Sequence, residues 1–313
     1  MDRGSCAKIS VLEVICLKEG THELPKNVRV YSLGKERAAA SRGAYAFRFL
    51  SLAWRLRGEY DAVFVHMNQE YVLIAGWLWK LLGKKIYLWR NHYAGSLATN
   101  IAALFCTKVF YTSKHSYTAR FKNAMKMPVG VDTARFYPDP AIAAKPRSIL
   151  FFGRMAKSKR PELLIDALAI LKKEGEAFSA TFCGSPLTAN EAYYETLKEK
   201  VRARNLTHEI SFVPAVPNSE APDLYRAHAI FVNCSPSGMF DKTLFEAAAC
   251  GCFVLATSDD FAGLAGEEHH FSSAEELAKR LGTMLAGPAV PPSPFVADTS
   301  LTALTTAFAK QII

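Results

Sequence analysis

Short apolar segments alternate with helical segments along this chain, and the alternation starts afresh once. "VLEVICLKE" (11–19), "VRVYSLG" (28–34), "DAVFVHM" (61–67), "KKIYLWRN" (84–91) and "KVFYTS" (108–113) read as strands. Between them, "ERAAASRGAYAFRFLSLAWRLRG" (36–58), "EYVLIAGWLWKLLG" (70–83) and "SLATNIAALFC" (96–106) read as helices, and "SYTARFKN" as a short one. Three prolines in the aperiodic stretch 136–148 then mark a linker. Beyond it the pattern resumes with "ILFFG", a helix opened by Pro161, "SATFCG", a helix over 191–205, "ISFV", "AIFVNCS" and "CFVLAT". The strands are nearly continuous apolar runs, as strands covered on both faces must be. Alternation of this kind yields parallel α/β structure.

The reading that follows is α/β, with two Rossmann-like domains facing a cleft. The first spans 1–140 and the second 147–290. After a second proline-rich break at 287–295, the helix "SLTALTTAFAKQI" is expected to pack back on the first domain over 298–313. Ligands of open α/β sheets bind beyond the carboxyl ends of the strands.

Composition narrows the class. No apolar run approaches the roughly 20 residues that a membrane-spanning helix needs. The start, "MDRGSCAKIS", has no apolar signal core, so secretion is not indicated and a cytoplasmic location is expected. Seven scattered cysteines suit buried free thiols, and "CGC" (250–252) reads as core packing rather than a metal pair. Charge is uneven: residues 1–147 carry 23 Lys and Arg against 10 Asp and Glu, residues 148–313 carry 15 against 19. A basic first half implies contact with a polyanionic surface. Arg37, Arg42, Arg48, Arg55 and Arg57 are interleaved with Tyr45, Phe47, Phe49 and Trp54. That pattern suits an anionic bilayer surface, and equally a helix packed on its sheet with snorkelling arginines. No zinc pattern or RNA-binding fingerprint points to nucleic acid.

Three places carry chemistry. Gly153, Arg154 and Lys159 lie between a strand and a helix start, where a guanidinium fork, an ammonium and helix amides suit a diphosphate. In "SPSGMFDKTLFEAAACG" (235–251), small residues bring amides to the end of another strand, and Glu246 stands near the first turn of a helix. The helix dipole alone explains an acid there; so does a ribose diol to be held. In "IYLWRNHYAGS", His92 lies just past a strand end, and His66 and Asn68 follow the strand before it. His269 and His270, beside Glu267 and Glu268, read as a surface loop. With no D-x-D anywhere, a leaving diphosphate would have to be neutralised by Arg, Lys and helix ends rather than a metal.

"FFGRMAKSKRPELLIDAL", "SPSGMFDKTLFEAAACGCFVLAT" and "MPVGVDTARFYP" together resemble the retaining glycosyltransferases of the GT-B fold, family 4 (group 1). The resemblance implies hexosyl transfer with retention from a nucleotide diphosphate sugar to a glycan or lipid-linked acceptor. It implies no cofactor and no metal, and peripheral attachment to the inner face of a membrane. Carried over by position, Gly153, Arg154 and Lys159 grip the diphosphate. Glu246 holds the ribose, loop amides of Gly238, Met239 and Phe240 meet sugar or phosphate, and His92 orients the reacting centre. His66 and Asn68 fall on the acceptor side. Asp132 in "GVDT" is expected to cap a turn. Two departures stand out. The family's first motif glutamate falls on Gly238, with Asp241 a candidate substitute. The family's opening strand, glycine loop and helix also have no counterpart before residue 11, so the resemblance implies an incomplete first domain as an expectation. Two rivals share the fold: a nucleotide-sugar epimerase, and a non-catalytic nucleotide- or membrane-binding relative.

Overall fold

The computed structural model describes residues 10–37, 40–239, 241–287, 292–294 and 297–312. Two compact units divide the chain: Met1–Met127 with Thr305–Ile313, and Pro128–Leu304. The division falls earlier than the proline-rich stretch suggested. Residues 128–136 belong with the second unit because Val131 and Phe136 are buried in its core and Val131 bridges Ser300. Asp132 caps the turn there, accepting from the Ala134 amide at 3.2 Å.

The second unit is one five-stranded parallel sheet in the order β11-β10-β7-β8-β9. Its strands are β7 (Lys145–Phe152), β8 (Ser179–Cys183), β9 (Ile210–Val213), β10 (His228–Asn233) and β11 (Phe253–Ala256). Successive residues serve opposite faces. Ile149, Phe151, Phe182, Ile230, Val232 and Leu255 enter one core. Leu150, Cys183, Phe231, Val254 and Ala256 enter the other. The first core is closed by helices α4 (Pro161–Lys173), α5 (Glu191–Ala203) and α9 (Ala274–Ala286), through Leu164, Leu168, Leu197, Val201, Leu277 and Leu281. The second is closed by α6 (Ala221–Arg226), α7 (Lys242–Ala249) and α8 (Asp259–Ala265), through Tyr225, Leu244, Phe245 and Phe261. Each such fully buried Leu, Ile or Phe contributes about 1.5–3 kcal/mol. Cys250 and Cys252 are buried in this second core, as core packing requires.

The first unit carries two separate parallel sheets. β1 (Leu12–Cys16) pairs with β2 (Val28–Ser32), while β3 (Ala62–His66), β4 (Lys85–Trp89), β5 (Lys108–Tyr111) and β6 (Ala124–Lys126) form the other in that order. Among the described residues no strand joins them. The short β6 was missed because "AMK" has no strand pattern of its own. α1 (Arg42–Arg55) begins at Ser41, whose side chain caps the Ala44 amide, so residues 36 and 37 precede the expected long helix rather than open it. "SYTARFKN" makes only a 3₁₀ turn over Tyr117–Arg120. α1, α2 (Glu70–Leu81) and α3 (Leu97–Phe105) contribute Phe49, Ala53, Val72, Leu78, Trp79 and Ala102 to a core with Val65, Ile86 and Leu88.

The opposite face of the four-stranded sheet is aromatic, with Phe64, Tyr87, Trp89 and Phe110. α10 (Leu301–Ile312) lies on it: Phe308 meets Phe64 edge-on at 4.7 Å and Phe110 at 5.6 Å. The Tyr87 hydroxyl donates to the Gln311 carbonyl at 2.9 Å, and Lys108 Nζ donates to Gln311 Oε1 at 2.6 Å.

Candidate donor site in the second unit

The sheet order reverses at β7. β8 and β9 lie to one side of it, β10 and β11 to the other. The β7 and β10 carboxyl ends therefore flank a topological switch point, the place where open α/β sheets take ligands. The two segments singled out from sequence are the loops that leave those two ends.

The β7 loop turns on glycines. Gly184, at the end of β8, has φ +151°, and a Cβ there would stand 1.8 Å from the Gly153 carbonyl oxygen. Gly153 accordingly donates its amide to the Cys183 carbonyl, and the next residue, Arg154, is thrown outward. The Arg154 side chain is exposed and has no hydrogen-bond or ion-pair partner among the described residues. Gly184→Ala is expected to push this loop off the β8 end, costing about 1–3 kcal/mol by overpacking. Differential scanning calorimetry should show Tm lowered by roughly 2–10 °C, with ligand affinity at the loop falling alongside.

Lys159 ends a short 3₁₀ turn before α4. Its Nζ contacts Ser235 Oγ at 3.2 Å and the Asp241 carboxylate. Arg160, in a left-handed conformation, instead braces the fold: Nε donates to the Cys234 carbonyl at 2.8 Å and Nη2 to Thr257 Oγ1 at 2.9 Å.

The β10 loop is tied down at both ends. Asp241 is the N-cap of α7 and accepts from Asn233 Nδ2 at 3.0 Å and Ser235 Oγ at 3.2 Å. Burial pushes its carboxyl up, but Lys159 and the hydrogen bonds from Lys159, Asn233 and Thr243 outweigh this and hold it below its ordinary value. Asp241 is thus turned toward Lys159 and does not reach back to replace a side chain at Gly238. Gly238 has φ +87°, and its amide donates to Asp260 Oδ2 at 3.1 Å. So this amide, expected to face a ligand, is bonded to a carboxylate at the start of α8. Ser237 Oγ likewise donates to Asp259 Oδ2 at 3.0 Å. Met239 is half-buried, and Phe240 lies outside the described residues.

Glu246 lies in the second turn of α7, not its first, and is 6% exposed. The helix dipole therefore does not account for it. The Tyr225 hydroxyl donates to Glu246 Oε2 at a long 3.4 Å. Burial raises its pKa, Lys242 and Arg135 pulling it down and Asp241 pushing it up. A buried acid is costly unless hydrogen bonds or a ligand meet it.

In the first unit, His66 is the last residue of β3, Asn68 follows two residues on, and His92 lies just beyond the carboxyl end of β4. His92 Nδ1 lies 3.0 Å from the Ala94 amide nitrogen and 3.2 Å from the Ala94 carbonyl oxygen. The ring stacks on Tyr93 at 4.6 Å. Burial lowers the pKa of His66. Met67 between them has φ +64°, and Gln69 is buried with Oε1 unpartnered among the described residues. Neither was picked out from sequence. His269 is not on a surface loop: it is 1% exposed, with Nδ1 2.7 Å from the Val254 carbonyl and its ring stacked on Phe253 at 4.5 Å.

The family described as Glycosyl transferases group 1 matches residues 133–285. Residues 133–285 are a group 1 glycosyltransferase domain. A D-inositol 3-phosphate glycosyltransferase of Kineococcus radiotolerans is 30% identical over 155 residues, 45% of this chain and 36% of that protein. A mannosylfructose-phosphate synthase of Agrobacterium fabrum is 29% identical over 153 residues, 45% and 34% of the two chains. The matched stretch thus spans about a third of these curated relatives. In structure, Anabaena HepE, solved with UDP and glucose, superposes with TM-score 0.74 at 18% identity over 96% of this chain and 87% of its own. The sucrose-phosphate synthase of Thermosynechococcus elongatus gives 0.69 at 15%, over 96% and 83%. The group 1 domain sits in a chain with the α/β fold of GT-B glycosyltransferases. Its family match encloses every donor-side residue described above, from Gly153 to Glu246.

Proposed function

We propose that this chain is a retaining glycosyltransferase that moves a hexosyl unit from a nucleoside diphosphate sugar to a glycan or lipid-linked acceptor without a metal. The observation that carries this is the switch point itself, with the exposed Arg154 guanidinium, without a partner among the described residues, Lys159 and the buried Glu246 all borne by β7, β10 and the helices after them. Diphosphate charge develops as the bond from the anomeric carbon to the phosphate oxygen breaks with its electron pair. Arg154 and Lys159 meet that charge. Glu246 accepts from the ribose hydroxyls, in addition to the long bond from Tyr225. The acceptor hydroxyl forms the new bond and gives its proton to the departing diphosphate. His92 is assigned the role of orienting the reacting centre. Asn68 and His66 contribute to the acceptor side.

Thermal-shift titration with UDP-, GDP- and ADP-glucose tests the donor site; stabilisation by one of them is expected, and stabilisation by none overturns the proposal. Release of nucleoside diphosphate that needs an acceptor and persists in EDTA separates metal-free transfer from epimerisation, which needs no acceptor.

The first unit also supports the anionic-membrane reading, and hence a peripheral location on the inner face of a membrane. α1 leaves Phe47 74% and Trp54 51% exposed, with Arg57 stacked over Trp54. α2 and α3 pack on one another and expose Leu81 (78%), Leu97 (73%) and Leu104 (81%). These apolar side chains accompany the basic half of the sequence, the combination that favours a bilayer surface. Co-sedimentation with phosphatidylglycerol vesicles, and not with phosphatidylcholine alone, is the expected result.

A further inference from the structure

Asp241 does more than a helix cap requires. One carboxylate oxygen performs the capping: Oδ1 accepts from the Thr243 amide at 3.4 Å and from Thr243 Oγ1 at 2.9 Å. The other, Oδ2, accepts from Lys159 Nζ, from Asn233 Nδ2 at 3.0 Å and from Ser235 Oγ at 3.2 Å. The Lys159 and Asp241 side chains are only 15% and 13% exposed. Two of the three ammonium N–H groups are thereby committed, to Asp241 and to Ser235. The positive charge of Lys159 is balanced in place by a carboxylate from the neighbouring loop, while Arg154 stands unopposed.

We propose that Asp241 neutralises Lys159 so that the second unit holds a diphosphate by one net positive charge instead of two, and thereby sets how readily the spent nucleotide leaves. The inference rests on reading the β7/β10 switch point as a nucleoside diphosphate site. An incoming diphosphate meets Lys159 as an oriented donor with one free N–H, and it meets the Asp241 carboxylate as a nearby like charge. Two unopposed cations in so sheltered a place would hold the product hard, and release of product limits many enzymes. Asp241 is a positioning residue in this scheme: it acts on the ligand through Lys159.

The test is calorimetric titration of UDP into the whole chain, for the native sequence and for Asp241→Asn, Lys159→Met and the double variant. Asn caps helices as well as Asp does, so the fold is expected to survive, and Asp241→Ser is a second capping substitution for the same purpose. Asp241→Asn and Asp241→Ser should bind UDP about tenfold more tightly, with a steeper loss of affinity as salt rises. Lys159→Met should bind about tenfold or more weakly, because the unpaired carboxylate then faces the anion. The double variant should return to within about threefold of the native Kd, since both charges have gone. A purely structural role for Asp241 moves the first result the other way: UDP binding by Asp241→Asn that is weaker or unchanged overturns the proposal. A native chain that binds neither UDP nor GDP overturns the reading of the site instead, and the inference with it.

Discussion

Arg154→Ala is expected to lower kcat/KM for sugar transfer by about 100- to 1,000-fold while leaving thermal unfolding unchanged. Both halves of that result follow from one observation. The guanidinium is exposed and without a partner among the described residues, so nothing in the resting fold is lost with it. Substitutions at such positions ordinarily change stability by no more than about 0.5 kcal/mol. On the proposed function its value lies in a charge that appears on the ligand as the bond to the donor sugar breaks. Arg154→Lys should recover little, since an ammonium cannot reproduce a two-pronged bond to phosphate oxygens. Steady-state kinetics beside a calorimetric scan measures both halves, and an alanine variant with native turnover would remove Arg154 from the mechanism.

Glu246→Gln should show the opposite balance, a more stable protein that binds its nucleotide poorly. Burial lifts the folded-state pKa of this acid above its unfolded value. The native state therefore holds a proton that the unfolded chain releases first, and stability contributed by the group is lost as pH rises through that interval. At pH 7, above the ordinary carboxylate range, the buried acid burdens the unliganded fold relative to the unfolded chain, and glutamine removes the burden. Below the ordinary carboxylate range the acid is neutral in both states, and the gain should vanish. Unfolding scans at pH 7 and pH 3 check the sign. Hydrogen bonds to a charged group contribute about 1.5–3 kcal/mol, so nucleotide affinity should fall roughly 10- to 150-fold. A variant that gains no stability at pH 7, or keeps native affinity, contradicts the role given to Glu246.

The sequence made the strands of the second unit plain because burial on both faces leaves runs such as "ILFFG" without polar interruption. It also marked Arg154 and Lys159, by their place between a strand end and a helix start, where cations and helix amides suit a diphosphate. What it could not show was pairing across distance. Lys159 and Asp241 are 82 residues apart. The carboxylate beneath Gly238, Asp260, comes from the next β-α connection and carries no motif of its own. Gly184 gave a faint signal, a glycine closing a strand, but its need for that residue lies in a carbonyl on another loop. His269 misled for a physical reason: a pair of histidines among acids looks solvated, yet one ring is stacked on Phe253. Glu246 was visible from the start as an acid among alanines. Only its place in the second turn of α7 removed the dipole as an explanation.

The aromatic face under α10 bears on how the chain comes to be folded. Tyr87 and Gln311 are 224 residues apart in order of synthesis, yet one hydroxyl joins them. During translation the sheet of β3 to β6 emerges with Phe64 and Phe110 uncovered, and it waits for Phe308 until the whole second unit has been made. The first unit is thus begun early and finished late, so completing it certifies that everything between has been synthesised.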